Sequence, residues 1–456
     1  MKRSSFIALL CSLAVYGCAA GAPESEVASP SAVEGLLTVS STTPNYDKSL
    51  IGPYTLEDPL EFLDGSKVRN AADWKRRRLE ILDIFQKEMY GQMPPAPDTV
   101  VTETFEQGIT LAGYGLRRQI SMWFRADRTG PRIDWLVITP RYAKGPVPCV
   151  LLLNYYGNHT ILNDPEVPLT QGWLKDSEKF SIKENRTSEV TRGFFDNQNY
   201  QSLYPVSQLL ARGYGFVTAC YAEISPDPFP CHRDEEGEFA YTGVFDLWGP
   251  RDPERTDNTT ALGAWGWALS RGMDMIERDS LLCSKRVLLT GCSRLGKAAL
   301  VAGAFDERFP VVVPVQTGGG GCPLAKRIYG ENISTEISTF THWYCKAYDK
   351  YAGHEDQLTF DQHMFLACVA PRALLVEGFD DPWYDTEAEF LALKAASPVW
   401  KKLGRGSLPD VPWPDDYDTS AIGEHIGYVH RSELHGIGPY DWVWMLDFAD
   451  RQFSKR

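Results

Sequence analysis

The chain has 456 residues, a formal net charge of −14 and 43% hydrophobic residues. A chain of this length holds one large or two ordinary domains, and its apolar content is enough for a substantial core. The acidic balance argues against a nucleic-acid-binding protein, because such proteins need a basic face to displace counterions from phosphates.

A secretory leader is predicted over residues 1–22. Two basic residues precede an almost entirely apolar run over residues 6–15, which is too short to span a bilayer as a stable helix. Residues 15–18, Val-Tyr-Gly-Cys, are typical of a bacterial lipoprotein processing site, so we expect a lipid on Cys18. The Ala-Gly-Ala segment at 20–22 is the alternative cleavage site. The expected location is therefore secreted or periplasmic, or the outer membrane of a bacterium as a lipoprotein.

One catalytic domain is predicted over residues 51–456, behind a flexible linker. Residues 23–50 form that linker because they are rich in Ser, Thr, Pro and small residues. Apolar side chains at helical spacing predict a helix over residues 71–90. Alternating polarity predicts antiparallel edge strands over 102–125 and 133–140.

From residue 147 onward, buried apolar runs alternate with amphipathic segments. The predicted strands are 147–155, 215–221, 287–290, 311–316 and 373–377, and the predicted helices are 205–211, 260–278, 297–304, 360–369 and 442–453. This alternation predicts an α/β fold with a mostly parallel central sheet sandwiched by helices in three layers. Functional groups in such sheets lie at the carboxyl ends of the strands.

A serine stands at the tip of one predicted strand–turn–helix. Gly291 and Gly296 bracket a tight corner around Ser293, one residue longer than the usual nucleophile elbow. Such a corner lifts the hydroxyl out of the sheet and aims the next N–H and the positive helix end at the same point. On spacing alone, an ordinary strand–helix corner is the alternative to a nucleophile at Ser293.

An acid and a base follow Ser293 in the chain order of α/β-hydrolases. A serine hydroxyl needs a base to take its proton, and a carboxylate to hold that imidazole in the required tautomer. His435 lies just before the last predicted helix, and Asp380 and Asp381 end a strand. A satisfied core histidine and an aspartate that caps a turn are the alternative interpretations.

Two basic side chains flank the serine. Arg294 could donate a charge-assisted hydrogen bond to a developing oxyanion, which is worth roughly 3–4 kcal/mol. The alternative is a surface arginine paired with Glu307. Lys297 lies about one turn into the helix, near the same mouth. Serine with Arg and Lys suits an acidic or carboxylate-derived substrate.

Several ordered segments together resemble the glucuronoyl esterases, carbohydrate esterase family 15, of the bacterial kind. The resemblance covers roughly residues 74–453, and its most specific piece is the serine motif GCSRLGK. The supporting pieces are YGNHT (156–160), YGE (329–331), HWYC (342–345), FDQH (360–363), DPWYD (381–385) and ELHGIGPYDW (433–442). The resemblance implies an α/β-hydrolase fold and cleavage of esters between (4-O-methyl-)glucuronic acid branches of glucuronoxylan and lignin alcohols. It implies no metal and no organic cofactor.

The resemblance also implies a role for each site residue. Ser293 would be the nucleophile, His435 the base and Arg294 the oxyanion donor. The residues expected to contact the sugar are Lys297, Glu331 and Trp383.

Two positions depart from the fungal members of that family. Those members carry the triad acid at the position of Thr317, so the resemblance to bacterial members assigns the acid to Asp381, with Asp380 as the alternative. Gly436 replaces a cysteine that fungal members bridge to the one before the serine, which leaves Cys292 without that partner.

Two other functions compete with this assignment. One is an acetyl xylan or other carbohydrate esterase, which needs no basic pocket, and the other is a catalytically inactive surface glycan-binding lipoprotein. The ten cysteines include no CxxC pair, so no zinc site is predicted. We expect a monomer with a polysaccharide ester as its substrate.

Overall fold

A nine-stranded sheet runs through the protein. The computed structural model describes residues 43–195, 204–231, 238–432 and 435–454. The strands are β1 (Val101–Thr110), β2 (Gly115–Trp123), β3 (Arg132–Pro140), β4 (Val147–Asn154), β5 (Gly215–Cys220), β6 (Leu282–Cys292), β7 (Val311–Val315), β8 (Ala373–Phe379) and β9 (Ile426–Arg431). Their order is β1-β2-β3-β5-β4-β6-β7-β8-β9.

The sheet is antiparallel at one edge and parallel over the rest. β1, β2, β3 and β5 pair antiparallel, whereas β5, β4, β6, β7, β8 and β9 pair parallel. Every residue of β5, β7, β8 and β9 is buried, as expected for strands covered on both faces. The predicted three-layer α/β architecture is confirmed.

Ten helices cover the two faces over the described residues. They are α1 (Ala71–Glu88), α2 (Val206–Ala211), α3 (Tyr221–Ile224), α4 (Ala261–Arg278), α5 (Arg294–Phe305), α6 (Ile333–Thr339), α7 (Gln362–Ala367), α8 (Thr386–Ala396), α9 (Pro398–Lys402) and α10 (Pro439–Phe453). One core packs α1, α4, α5, α7 and α8 on the sheet, and a second core packs α2 and α10 on the other face. The Thr260 hydroxyl caps α4 by accepting from the Gly263 N–H, which is why that helix begins where its polar–apolar boundary predicts.

The sequence pattern did not predict β9. Its residues, IGYVHR, include a glycine and two basic side chains, which is unusual for a buried strand. Both basic side chains are nevertheless buried, because each has a partner outside the strand. Arg431 forms an ion pair with Asp441, and the His430 Nε2 lies 2.7 Å from the Pro414 carbonyl oxygen. The local sequence pattern does not reveal these partners.

The domain begins earlier than its predicted start at Ile51. Asn45 forms a β-bridge with Gly330, and Lys48 Nζ lies 2.8 Å from a Glu387 carboxylate oxygen. The polar composition before Ile51 predicts a linker, but Asn45 and Lys48 contact residues of the domain. The predicted leader and the predicted linker up to residue 42 lie outside the described residues.

Two further observations concern the described helices and Cys292. None of the helices in the described part of the chain combines the length and the apolarity that a bilayer crossing requires. Cys292 is a buried cysteine that forms no disulfide within the described residues.

Candidate active site

Ser293 occupies a strained corner between β6 and α5. Its φ of 56° and ψ of −129° lie in a region that non-glycine residues rarely adopt, at a cost of about 1–3 kcal/mol. Two main-chain hydrogen bonds hold the corner. The Ser293 N–H donates to the Val315 carbonyl at 2.9 Å, and the Ser293 carbonyl accepts from the Lys297 N–H at 3.0 Å. The strain is thus tied to β7 and to the first turn of the helix, as in a nucleophile elbow.

The two glycines around Ser293 are required by close backbone approach. A Cβ on Gly291 would lie 2.3 Å from the Leu295 carbonyl oxygen, and one on Gly296 would lie 2.8 Å from the Gly291 carbonyl oxygen. The Gly-x-Ser-x-x-Gly spacing is therefore the spacing at which β6 and α5 meet without a clash.

Arg294 is a buried cation with a buried anionic partner. Its Nη1 pairs with an oxygen of Asp227, and the two side chains are 13% and 1% exposed. The Asp227 carboxylate also lies 2.7 Å from the His342 Nε2, accepts from the Trp343 Nε1–H at 2.8 Å and accepts from the Tyr221 hydroxyl at 3.1 Å. Burial alone would raise the pKa of Asp227, but the Arg294 charge and these hydrogen bonds hold that pKa well below its usual range. Arg294 is therefore not a surface arginine.

Aromatic rings enclose the same guanidinium. Its carbon lies 4.8 Å from the ring centroids of Phe229 and Trp343 and 5.5 Å from that of Phe340. Such cation–π contacts stabilise a cation that has left water. The ion pair and these rings together hold the guanidinium in place.

His435 lies at the same sheet edge as an uncharged imidazole. Its ring stacks on Tyr384 with centroids 4.7 Å apart and lies 5.7 Å from the Phe379 ring. Burial, together with the positive charges of Arg294, Arg431 and Lys297, lowers the pKa of His435 to about 3. The imidazole is therefore neutral near pH 7, which is the state in which it can accept a proton.

The carboxylate of a triad is not joined to this histidine. Within the described chain the buried His435 Nδ1 has no hydrogen-bond partner. Asp381 Oδ1 accepts from the Trp383 N–H at 2.9 Å, and exposed Asp380 donates its N–H to the Arg431 carbonyl at 2.9 Å. The assignment of the acid to Asp381 stays a prediction.

Lys297 and Glu331 form a buried pair beyond the serine. Lys297 Nζ lies 3.9 Å from Glu331 Oε2, and both side chains are buried. Glu331 Oε2 accepts from the Gly319 N–H at 2.9 Å, which fixes the carboxylate. Burial raises the pKa of Glu331 despite the Lys297 charge, and burial together with Glu331 raises the pKa of Glu336, just behind it, to about 8.

Trp383 is tied to that pair through the main chain. Its carbonyl accepts from the Glu331 N–H at 2.8 Å, and its side chain is half-buried. The three predicted sugar contacts therefore come from α5, from the loop before α6 and from the loop after β8. Lys297 and Glu331 are in direct contact, and Trp383 adjoins them.

Sequence reasoning missed two groups at this site. Asp227, in a Pro-flanked loop, anchors Arg294. Arg431 and Asp441 brace the His435 loop, because Arg431 Nη2 donates to the Gly436 carbonyl at 2.5 Å and Asp441 accepts from the Gly438 N–H at 2.6 Å. Asp227 acts on Arg294, 67 residues further along the chain, and Arg431 and Asp441 act through contacts within their own segment that no motif marks.

A strained serine at the strand–helix corner of a mostly parallel sheet, with a neutral histidine before the last helix, defines an α/β-hydrolase. Residues 233–404 match the family model described as glucuronyl esterase, fungi. The chain is 34% identical to the carbohydrate esterase MZ0003 of an unknown prokaryotic organism, over 90% of this chain and 92% of that protein. It is 27% identical to the 4-O-methyl-glucuronoyl methylesterase of Schizophyllum commune, over 84% of this chain and 80% of that protein.

Solved structures give the same result. A glucuronoyl esterase from Solibacter usitatus superposes with a TM-score of 0.80 at 34% identity, over 89% of this chain and 100% of that one. A promiscuous CE15 esterase from a marine bacterial metagenome has a TM-score of 0.81 at 34% identity, over 90% of this chain and 100% of that one. The chain belongs to carbohydrate esterase family 15, which confirms the family predicted from its motifs.

Proposed function

We propose that this protein is a serine esterase that cleaves esters between (4-O-methyl-)glucuronic acid branches of glucuronoxylan and lignin alcohols. The observation that carries the proposal is strained Ser293 at the start of a helix whose Arg294 and Lys297 are both held in buried charge pairs, with Asp227 and Glu331. A guanidinium next to the serine can donate to the oxyanion of an ester, and family membership at 34% identity supports the same reaction.

The reaction takes place in two steps. The Ser293 hydroxyl attacks the ester carbonyl while His435 takes its proton, and Arg294 donates to the oxyanion. His435 then gives that proton to the departing alcohol, which leaves a glucuronoyl ester on Ser293. Water that loses its proton to His435 attacks this ester, and the proton returns to Ser293 as glucuronic acid leaves.

We assign the orienting carboxylate to Asp381. A buried imidazole N–H is rarely left without an acceptor, so the unpartnered His435 Nδ1 needs one in the working enzyme. Asp381 lies two residues beyond Phe379, whose ring contacts His435. A change in the turn at Trp383, whose N–H now occupies Asp381 Oδ1, would free that oxygen for Nδ1.

The sugar ring is assigned to the other side of Ser293. Lys297 and Glu331 can hydrogen-bond its hydroxyls, and Trp383 can offer a flat apolar face. Because Lys297 and Glu331 already neutralise each other, this side suits hydroxyl groups better than a second carboxylate.

Hydrolysis of benzyl and methyl glucuronate tests the proposal. Wild type should release alcohol, and Ser293→Ala should lower kcat by a factor of about 10⁴–10⁶, as removal of a serine nucleophile does elsewhere. The matched control is Ser338→Ala on the exposed face of α6, which should change kcat less than twofold. Cleavage of acetyl xylan without glucuronate esters would favour the acetyl esterase alternative, and glycan binding without turnover would favour the inactive binding protein.

We further propose that the mature protein lies outside the cytoplasm, attached to the outer membrane through a lipid on Cys18. The leader pattern in residues 1–18 supports this location. Partition into the detergent phase of a Triton X-114 extract, abolished by Cys18→Ala, is the expected result. Wild type that stays entirely in the aqueous phase would support release by cleavage after Ala22 instead.

We also propose that the enzyme acts as a monomer, since the candidate site is built from one chain. Light scattering behind a size-exclusion column should give one chain mass, 51.2 kDa for the unprocessed sequence. A concentration-independent mass of twice that value would contradict it.

A further inference from the structure

A cavity of about 520 Å³ shares a loop with the candidate active site. It is lined by residues 168–173, by Glu223 after β5, and by Trp135 near the start of β3. Since β3 runs antiparallel to β5, its start lies at the sheet edge where the parallel strands end. Pro226 lines this cavity, and the next residue, Asp227, holds Arg294. One loop thus forms a wall of the cavity and anchors the oxyanion donor.

Glu223 offers an acceptor on the same wall. Its Oε1 accepts from the Thr170 hydroxyl at 2.5 Å and from the Gln171 N–H at 3.0 Å, which fixes the side chain. Oε2 makes no hydrogen bond to the described residues. Burial raises the pKa of Glu223, and its carboxyl group can accept a hydrogen bond from a ligand hydroxyl.

The charges around the cavity balance. The ionisable side chains that line it are two basic and two acidic: Arg132, Arg186, Asp134 and Glu223. Arg132 Nε also donates to Asp134 at 3.1 Å, which removes one charge of each sign from the ligand. Such a lining favours neither an anion nor a cation, and therefore selects a neutral, hydroxyl-rich ligand.

Aromatic rings lie at the same cavity. Trp173 and Phe239 contact each other edge to face with centroids 5.7 Å apart, and Phe239 is 41% exposed. Flat apolar faces combined with a few fixed polar groups match a sugar ring, which has C–H faces and a rim of hydroxyls. The volume lies within the roughly 300–1,000 Å³ of small-molecule sites.

We propose that this cavity is a second carbohydrate subsite, which binds neutral sugar rings of the polysaccharide whose glucuronate branch occupies the active site. The identity of that polysaccharide rests on the proposed function, whereas the neutrality of the ligand rests on the cavity alone. Trp173 supplies a ring face, and Glu223 supplies an acceptor.

Calorimetric titration of the full-length protein with xylotriose tests the subsite. Wild type should bind, and Trp173→Ala and Glu223→Ala should each weaken binding at least tenfold. The matched control is Tyr142→Ala, since Tyr142 is 73% exposed and follows the opposite end of β3. Its affinity should equal that of wild type. Absence of binding by wild type, or equal affinities for all four proteins, would overturn the proposal.

Kinetics separate this subsite from the proposed function. For a benzyl glucuronate carried on a xylo-oligosaccharide, Trp173→Ala should raise KM about tenfold with kcat unchanged, and it should leave KM for free benzyl glucuronate unchanged. Equal KM changes for both esters would overturn the subsite. A wild type that binds xylotriose through Trp173 but cleaves no glucuronate ester would refute the esterase assignment and leave the subsite standing.

Discussion

At the scale of single residues, the site depends on how its charges are held out of water. Arg294 and Asp227 are both buried, and neither would be stable there without the other. His342, Trp343 and Tyr221 add hydrogen bonds to the same carboxylate. In the proposed mechanism, a guanidinium held by this carboxylate needs no reorganisation when the oxyanion forms, which is the condition for effective electrostatic catalysis.

Asp227→Asn tests this arrangement. The amide keeps the size of the side chain and its carbonyl acceptor but removes the charge that orients Arg294. We expect kcat on benzyl glucuronate to fall by a factor of about 10²–10³ with a small change in KM, because the loss affects the transition state. The matched control is Asp410→Asn, whose side chain is fully exposed and which should behave as wild type. A raised KM with unchanged kcat would instead assign Asp227 to substrate binding.

The pH profile follows from His435. Its pKa falls from 6.5 to about 3 because the imidazole is buried among cations, so the base stays neutral as the solution becomes mildly acidic. The acid limb of kcat/KM should therefore lie well below pH 6.5, with no loss between pH 8 and pH 6.5. An acid limb centred at pH 6.5 or higher would show that the free enzyme does not hold the histidine in this environment.

The lowered pKa of His435 also makes the free energy of unfolding depend on pH. Below pH 6.5 the unfolded chain gains a proton on this imidazole, whereas the folded protein resists protonation until the pH nears 3. The contribution of neutral His435 to stability is thus complete above pH 6.5 and is lost as the pH falls below it. Urea unfolding at pH 7.5 and pH 5 should show less acid destabilisation in His435→Gln than in wild type.

At the scale of elements, the loop between β9 and α10 carries His435, the proposed base. Arg431, at the end of β9, donates to both oxygens of Asp441, on the first turn of α10. Each partner also binds the main chain of the loop, at Gly436 and Gly438. From the other side, the Gly436 N–H donates to Gln316 Oε1 at 2.8 Å. The loop is therefore fastened to β7, β9 and α10 at once.

Asp441→Asn should loosen this loop. Removal of one member of a buried ion pair costs about 3–5 kcal/mol because the other charge stays buried. We expect a lower urea midpoint and a kcat reduced at least tenfold under conditions where the variant is fully folded. Asp447→Asn on the exposed face of the same helix is the control, since its carboxylate is mostly in water. Loss of stability with wild-type kcat would mean that the brace serves the fold and not the base.

At the scale of the whole molecule, the sequence contained the alternation of the fold but not the partners of its charges. The corner at Ser293 was predictable because Gly291 and Gly296 stand where a Cβ would clash with the nearby main chain. The parallel strands were predictable because their runs are uniformly apolar. β9 and Asp227 were not, because Asp227 is stabilised by Arg294, 67 residues further along the chain, and Arg431 by Asp441, across a loop whose course local patterning does not reveal. The local sequence pattern reports steric constraints, but it does not show which charged side chains pair in the fold.

The proposed triad is a property of the whole molecule, since Ser293, Asp381 and His435 follow three different parallel strands. If Asp381 orients the imidazole, Asp381→Asn should lower kcat by about 10⁴, because the amide stabilises the wrong tautomer. Asp380→Asn is the matched control one residue away, and its exposed side chain should leave kcat within threefold of wild type. Both variants should unfold at the wild-type urea midpoint. Equal effects on kcat, or a wild-type rate in Asp381→Asn, would show that the carboxylate comes from another strand.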